Sequence, residues 1–183
     1  MLVDRERLIM SPDATELLSL VRARCSTRSF TGEHVSDEDI ATILKIAAYA
    51  PSSWGGHPME YIVVRDKAVM RELARCKAMG AGPTAYSDAV IVPIIDKDGL
   101  ELWIEDASVA STYILLAAEA CAVGACWIHI RDRRGHTGTA EEDIRKVLGL
   151  PDKYGILNLV ALGVKANDCK PKTLSPKIKA VIG

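Results

Sequence analysis

The sequence lacks most of the marks that announce a function at sight. It has almost no net charge: 23 basic and 24 acidic side chains leave a formal charge of −1 over 183 residues. Such a chain has no global positive field for nucleic acid or an anionic membrane, so any anion it holds is held by a local cluster. It has no C-x-x-C pair, and its five cysteines (Cys25, Cys76, Cys121, Cys126, Cys169) are odd in number. That argues against a disulfide framework and against zinc or iron–sulfur ligation, and favours buried free thiols in a reducing compartment. The histidines His34, His57, His129 and His136 lack the i, i+4 spacing of a helical metal site. No G-x-G-x-x-G follows a strand; Gly80-Ala81-Gly82-Pro83 only approaches one. There is no Walker lysine motif and no G-x-S-x-G elbow, so nucleotide hydrolysis, serine hydrolysis and metal chemistry all start without support.

Long apolar runs are also missing. The start, Met1-Leu2-Val3-Asp4-Arg5-Glu6-Arg7, alternates charge with apolar residues and has no signal-peptide core. The longest apolar stretch, residues 107–126, is built largely from Ala, Ser, Thr and Cys and contains Glu119. A membrane span wants about 20 strongly apolar residues, so this reads as a buried helix. The expectation is a cytoplasmic protein, with residues 1–183 as a single domain rather than two.

What is there is an alternation of helical and strand patterns. Ala14, Leu17, Leu18 and Val21 mark one face of a first helix. Ser36-Asp37-Glu38-Asp39 resembles a capping box with a short acid, ahead of a stripe at Ile40, Ile43, Leu44 and Ala47. Pro51 ends that helix and opens an ordered loop to Pro58. Residues 60–64 read as a strand, 67–77 as a helix, 89–95 as a strand, 102–123 as one long helix and 126–130 as a strand. Thr139-Ala140-Glu141-Glu142 is a capping box, Gly149 and Pro151 are stop signals, and residues 156–164 make a last central strand before a Lys/Pro-rich tail.

Three segments carry possible chemistry. In Arg24-Cys25-Ser26-Thr27-Arg28-Ser29-Phe30, two guanidiniums flank a hydroxyl and suit a phosphate and a polar heterocycle edge; they equally suit a solvated helix C-terminus. In Ala50-Pro51-Ser52-Ser53-Trp54-Gly55-Gly56-His57-Pro58, glycines and hydroxyls allow close backbone approach to a ligand, or simply form a loop. Lys170-Pro171-Lys172 is either an anion contact or a solvated basic tail.

Taken together and in order, these segments resemble the nitroreductase family of FMN enzymes. Arg24, Ser26, Arg28 and Phe30 match its Arg-x-Ser-x-Arg/Lys segment with the aromatic that follows. Ala50, Pro51, Ser52, Ser53 and Pro58 match its Ala-Pro-Ser-Ser loop. Glu105-Asp106-Ala107 through Ala118 resembles its central helix, Cys126-Trp127-Ile128 its next strand, and Lys170 and Lys172 its C-terminal basic pair. The chain departs from the family at Gly55, where Asn is common, at His57-Pro58-Met59 in place of Gln-Pro-Trp, and at Ala122 in place of the first glycine of Gly-Leu-Gly.

The resemblance implies an α+β three-layer sandwich, its central sheet mainly antiparallel and flanked by helices, in an interlocked homodimer with FMN sites shared between subunits. Arg24, Ser26, Arg28, Lys170 and Lys172 would hold FMN from one chain, with Pro51, Ser52, Ser53 and Gly55 against it from the partner. The strand at Trp127, Ile128 and His129 would offer a backbone N–H to the flavin. FMN would take hydride from NADH or NADPH and reduce a small acceptor (a nitroaromatic, quinone or similar) by ping-pong turnover, with no side-chain acid or nucleophile. His129, Arg131 and His57 are the possible substrate contacts, and alternation along the strand would put His129 and Arg131 on one face. The small-residue helix is either a dimer-packing element or an internal core helix. The alternative function is FMN storage or redox sensing with little turnover. No metal, nucleic acid or membrane partner is expected.

Overall fold

The computed structural model describes residues 14–177 and 179–180, so the alternating stretch at residues 1–7 lies outside the described residues. Its strands are β1 (Met59–Val64), β2 (Ala89–Asp96), β3 (Gly124–His129), β4 (Tyr154–Gly155) and β5 (Asn158–Gly163). They form one sheet in the order β1-β2-β5-β3, with β4 paired to the far end of β2, and every strand pair is antiparallel. β2 is buried over its first seven residues, which is why it reads as an unbroken apolar run instead of alternating. Pro93 is tolerated there because it falls between the stretch of β2 that pairs β5 (residues 89–91) and the stretch that pairs β4 (residues 95–96).

Helices α1 (Ala14–Ala23), α2 (Asp37–Ala47), α3 (Lys67–Arg75), α4 (Gly82–Tyr86), α5 (Trp103–Ala120) and α6 (Ala140–Leu148) surround the sheet. Strand alternation divides the core in two. Ala89, Ile91, Val160 and Leu162 face Ile43 of α2 and Ile114 of α5. Val90, Val92, Leu159 and Ala161 face Met70 and Leu73 of α3 and Ile144 of α6. Ile43, Ile91, Ile114 and Leu162 are fully buried, and cutting any one to alanine costs about 2–5 kcal/mol. The α+β sandwich is thus the fold the chain adopts. On α5 the small residues Ala107, Ala110, Ser111, Ala117 and Ala118 are buried within the single chain, so internal packing accounts for that face. The apolar stripe of α1 behaves differently: none of its residues is buried.

Capping explains where several helices begin. Thr139 and Glu142 form the complete capping box of α6, and Gly149 ends that helix at φ 66°. At α2, Ser36 Oγ accepts from Asp39 N–H at 3.0 Å, but the Asp39 carboxylate reaches only the Ser36 hydroxyl, at 2.7 Å. One methylene too few turns the box into a side-chain pair. α4 is a helix where the sequence shows only a Gly/Pro break; Pro83 in its first turn supplies a preset φ.

α5 stops at Ala120, three residues short of the expected end, because Ala122 takes φ 57°. This is the left-handed region that glycine enters freely and alanine does not, at the position where the sequence replaces an expected glycine. Ala122→Gly is expected to stabilise the chain by about 1 kcal/mol, raising Tm by roughly 2–4 °C in a thermal melt.

Candidate functional site

Residues 24–30 run across the ends of β3 and β5. Ser26 bridges Ala125 in parallel, Thr27 N–H donates to Ala125 C=O at 2.9 Å, and Thr31 N–H donates to Val164 C=O at 3.0 Å. The alternation of this extended segment buries Thr27 and leaves the Ser26 and Arg28 side chains exposed. Phe30 anchors it: its ring lies on Gly163 of β5, where a Cβ would come within 2.6 Å of Phe30 Cδ1. Only glycine at 163 admits the ring, and the ring fixes the path of the two arginines ahead of it. Arg28 makes one weak hydrogen bond, to Ser26 C=O at 3.5 Å.

The sheet's outer edge continues this surface. β3 is the last strand, and its ladder to β5 fixes which amides are free. Because Ala125 turns its carbonyl outward to Thr27, Trp127 and His129 turn their N–H groups to the same open side, while that of Ile128 points at β5. Cations gather here. The His129 imidazole is held below its usual pKa by burial and then by Arg133, Lys77 and Arg131. Burial and Arg133 likewise push down the Lys77 ammonium. An Ala78 N–H to Arg134 C=O bond at 3.1 Å joins the loops that carry Lys77 and Arg133. Lys77 and Arg133 follow no motif, and nothing in the sequence signals them; the fold brings them beside β3. β3 ends at His129, so Arg131 lies past the strand and does not share a strand face with His129. Arg131 pairs with Asp132 at 2.6 Å and its guanidinium carbon sits 5.9 Å from the centre of the Trp103 ring.

The loop after α2 forms a second cluster. Its serines are both occupied: Ser52 Oγ accepts from His57 N–H within the loop at 2.8 Å, and Ser53 donates to Asp106 Oδ1 of α5 through both N–H (2.8 Å) and Oγ (2.9 Å). Asp106, in the first turn of α5, is only 4% exposed, and its Oδ2 has no hydrogen-bond partner among the described residues. Pro51, Ser52, His57, Tyr61 and Asp106 line a cavity of about 80 Å³. Trp54 and His57 take φ of 56° and 46°, with Gly55 at 67° between them, and the Trp54 side chain is 99% exposed. Within one chain, no hydrogen bond or ion pair joins this loop to residues 24–28 or to the tail among the described residues.

The tail returns to the first segment. Arg24 and Lys172 line one groove of about 380 Å³ with Leu18, Val21, Arg22 and Leu174. Lys172 N–H donates to Arg22 C=O at 3.3 Å. Among the described residues, Arg24, Arg28, Lys170 and Lys172 have no carboxylate partner. The expectation of free thiols is corrected here: Cys25 and Cys169 are disulfide-bonded, with Cα atoms 6.3 Å apart, while Cys76, Cys121 and Cys126 are free. The two bonded residues lie 144 apart in sequence, so short-range spacing cannot reveal the pair. Among the described residues no group of acids, histidines and cysteines is placed to hold a metal ion, and no helix is long and apolar enough to cross a membrane.

Known proteins resemble this chain in sequence and fold. The chain is 32% identical to an Archaeoglobus fulgidus protein named "Putative NADH dehydrogenase/NAD(P)H nitroreductase", covering 81% of this chain and 84% of that one. It is 26% identical to an NADH dehydrogenase of Thermus thermophilus, covering 87% and 91%. The structure of an FMN-dependent nitroreductase from Clostridium difficile R20291 superposes with a TM-score of 0.81 at 35% identity, over 84% of this chain and 90% of that one. The sequence model described as the nitroreductase family matches residues 21–99 and 94–164. The chain belongs to the nitroreductase family.

Proposed function

We propose that residues 1–183 act as a single FMN-binding domain of an NAD(P)H oxidoreductase, working as a homodimer. The observation that carries this reading is a set of cations from residues 24–28 and the tail that lack carboxylate partners among the described residues, with Arg24 and Lys172 in one groove. Arg24, Arg28, Lys170 and Lys172 have no carboxylate to neutralise among the described residues, and a phosphate is the anion such a set suits best. Beside them, the outward amides of Trp127 and His129 are donors for the edge of a planar ring, with Ser26 between the two arginines. The relatives named above carry the same activity in their names.

When bound, FMN supplies the two-electron chemistry between NADH or NADPH and a small acceptor such as a nitroaromatic or quinone. The chain's residues bind and orient it. Arg24, Lys170 and Lys172 take the phosphate; Arg28 is directed at the ring's pyrimidine edge, where a positive charge favours added electron density. Ile128 contributes packing from the strand's inner face rather than an amide. His129 has its charged form disfavoured, so at neutral pH it is a neutral hydrogen-bonding group at the site's margin. Arg131, engaged by Asp132 and Trp103, acts on an acidic substrate only by leaving them.

What one chain leaves open supports dimerisation. Leu17, Leu18 and Val21 of α1 are 54%, 56% and 47% exposed, and the strained loop presents Trp54 to solvent. A second copy would cover these side chains and bring its Pro51, Ser52, Ser53 and Gly55 to the first chain's site. A donor and an acceptor that occupy one face in turn give ping-pong kinetics. The reading places the chain in the cytoplasm, where NADH and NADPH are held.

Two experiments bear on this. Steady-state rates at varied NAD(P)H and acceptor are expected to give parallel double-reciprocal lines; tight FMN with negligible turnover would favour storage instead. Gly55→Asn meets open space, and asparagine tolerates the left-handed conformation required there. It is expected to fold normally and to bind FMN more tightly or change acceptor preference, as read by FMN titration and an acceptor panel. An unchanged variant places the loop away from the flavin.

A further inference from the structure

We propose that Cys25 and Cys169 form a reversible disulfide that sets the chain's affinity for FMN by fixing or releasing the C-terminal tail. The inference rests on the FMN reading above and adds redox control of its phosphate end. Cys25 lies between Arg24 and Ser26, and Cys169 directly precedes Lys170. The bond therefore joins the two cationic segments that the fold brings together from opposite ends of the chain, at a Cα separation of 6.3 Å that disulfides ordinarily span.

Among the described residues, little else holds the tail. Residues 170–177 are exposed, and beyond the Ala166 N–H to Ser29 C=O bond at 3.1 Å its backbone meets Arg22 through two long hydrogen bonds, at 3.3 and 3.4 Å. With the disulfide closed, Lys170 and Lys172 stand beside Arg24 before any ligand arrives. With it open, binding must also order a polar arm, and each ordered residue subtracts from affinity. The remaining thiols are poor competitors for exchange. Burial, with Asp143 and Glu72 nearby, pushes Cys76 up to about 11. Burial also raises Cys121 and Cys126.

The oxidant is a low-molecular-weight disulfide, RSSR. The thiolate of one cysteine attacks a sulfur of RSSR, forming a mixed disulfide and releasing one thiolate of R. The second cysteine's thiolate then attacks the protein sulfur of that mixed disulfide and displaces the other. Two cysteine thiols are oxidised to one disulfide, RSSR is reduced to two RSH, and the two cysteine protons end on the released thiols.

The full chain would be titrated with FMN, followed by flavin fluorescence, after oxidised glutathione and after a phosphine reductant, with intact mass reporting the loss of both thiol hydrogens. Reduction is expected to raise the FMN dissociation constant about tenfold. Cys25→Ser and Cys169→Ser are expected to match the reduced protein under either treatment, with Cys121→Ser behaving as the unaltered chain. Equal affinity in two states that mass shows to differ at the disulfide would overturn the switch, as would a pair that stays reduced under oxidised glutathione. A chain that binds FMN in neither state would instead refute the FMN reading itself.

Discussion

Asp106→Ala is expected to lower stability by about 2–3 kcal/mol and to loosen the loop at residues 51–58. The substitution removes the acceptor for both Ser53 N–H and Ser53 Oγ, leaving donors in a half-buried place without a partner. The carboxylate itself is buried with no cation in ion-pair range among the described residues, an arrangement that costs several kcal/mol per ion before compensation. Two charge-assisted hydrogen bonds return about 1.5–3 kcal/mol each, and the α5 N-terminus adds about 0.3–1 kcal/mol. These terms nearly cancel, so the acid brings little net stability in place of an apolar side chain. What it brings is a fixed loop. Asp106→Asn separates the two roles, because its oxygen can still accept from Ser53. We expect it to keep stability within about 1 kcal/mol and FMN affinity near that of the unaltered chain, while Asp106→Ala loses about tenfold in affinity through a disordered loop. Thermal melts paired with FMN titration check this. Full affinity in Asp106→Ala would remove the loop from the site.

The second large effect is at Arg28. Arg28→Ala is expected to weaken FMN binding by roughly 10- to 100-fold, the value of a charge-assisted contact of about 1.5–3 kcal/mol. Its stability should stay within about 0.5 kcal/mol, because the exposed side chain makes only one long hydrogen bond among the described residues. Arg28→Lys keeps the charge and loses the planar fork, so its affinity should fall between the two. Arg75→Ala is the control: this exposed arginine pairs with Glu72 at 2.7 Å and lies in α3. If Arg28→Ala binds FMN as tightly as Arg75→Ala, the guanidinium does not face the ligand.

Most of the fold is legible in the sequence because local chemistry and tertiary packing agree there. The Thr139 capping box, the Pro51 break, the apolar stripe of α2 and the uniform β2 each state their own role. Boundaries fail where the deciding contact is distant or conformational. α5 ends early because of the Ala122 backbone, and α4 hides in a glycine-rich stretch that composition reads as a break. The first-helix stripe reads as one apolar face, and a single chain leaves it exposed; periodicity shows that a face is apolar without showing what covers it. At the candidate site, motif order singles out Arg24, Ser26, Arg28 and the serine loop as candidates. It does not reveal that Ser53 is tied to Asp106, that Lys77 and Arg133 converge on His129, or that Cys25 meets Cys169. Ser53 and Asp106 lie 53 residues apart and Cys25 and Cys169 lie 144 apart, and Lys77 is equally remote from His129, separations far beyond the range of a motif.

FMN held by this chain is expected to pass electrons from NADH or NADPH to an acceptor. The most direct test is the visible absorption spectrum of the purified full chain, reconstituted with FMN and followed without air as NADH or NADPH is added. The expected result is a bound-flavin spectrum that bleaches on addition of one of the two donors and recovers when an acceptor is supplied. A chain that stays colourless after incubation with FMN, or bound flavin that neither donor bleaches, would contradict it.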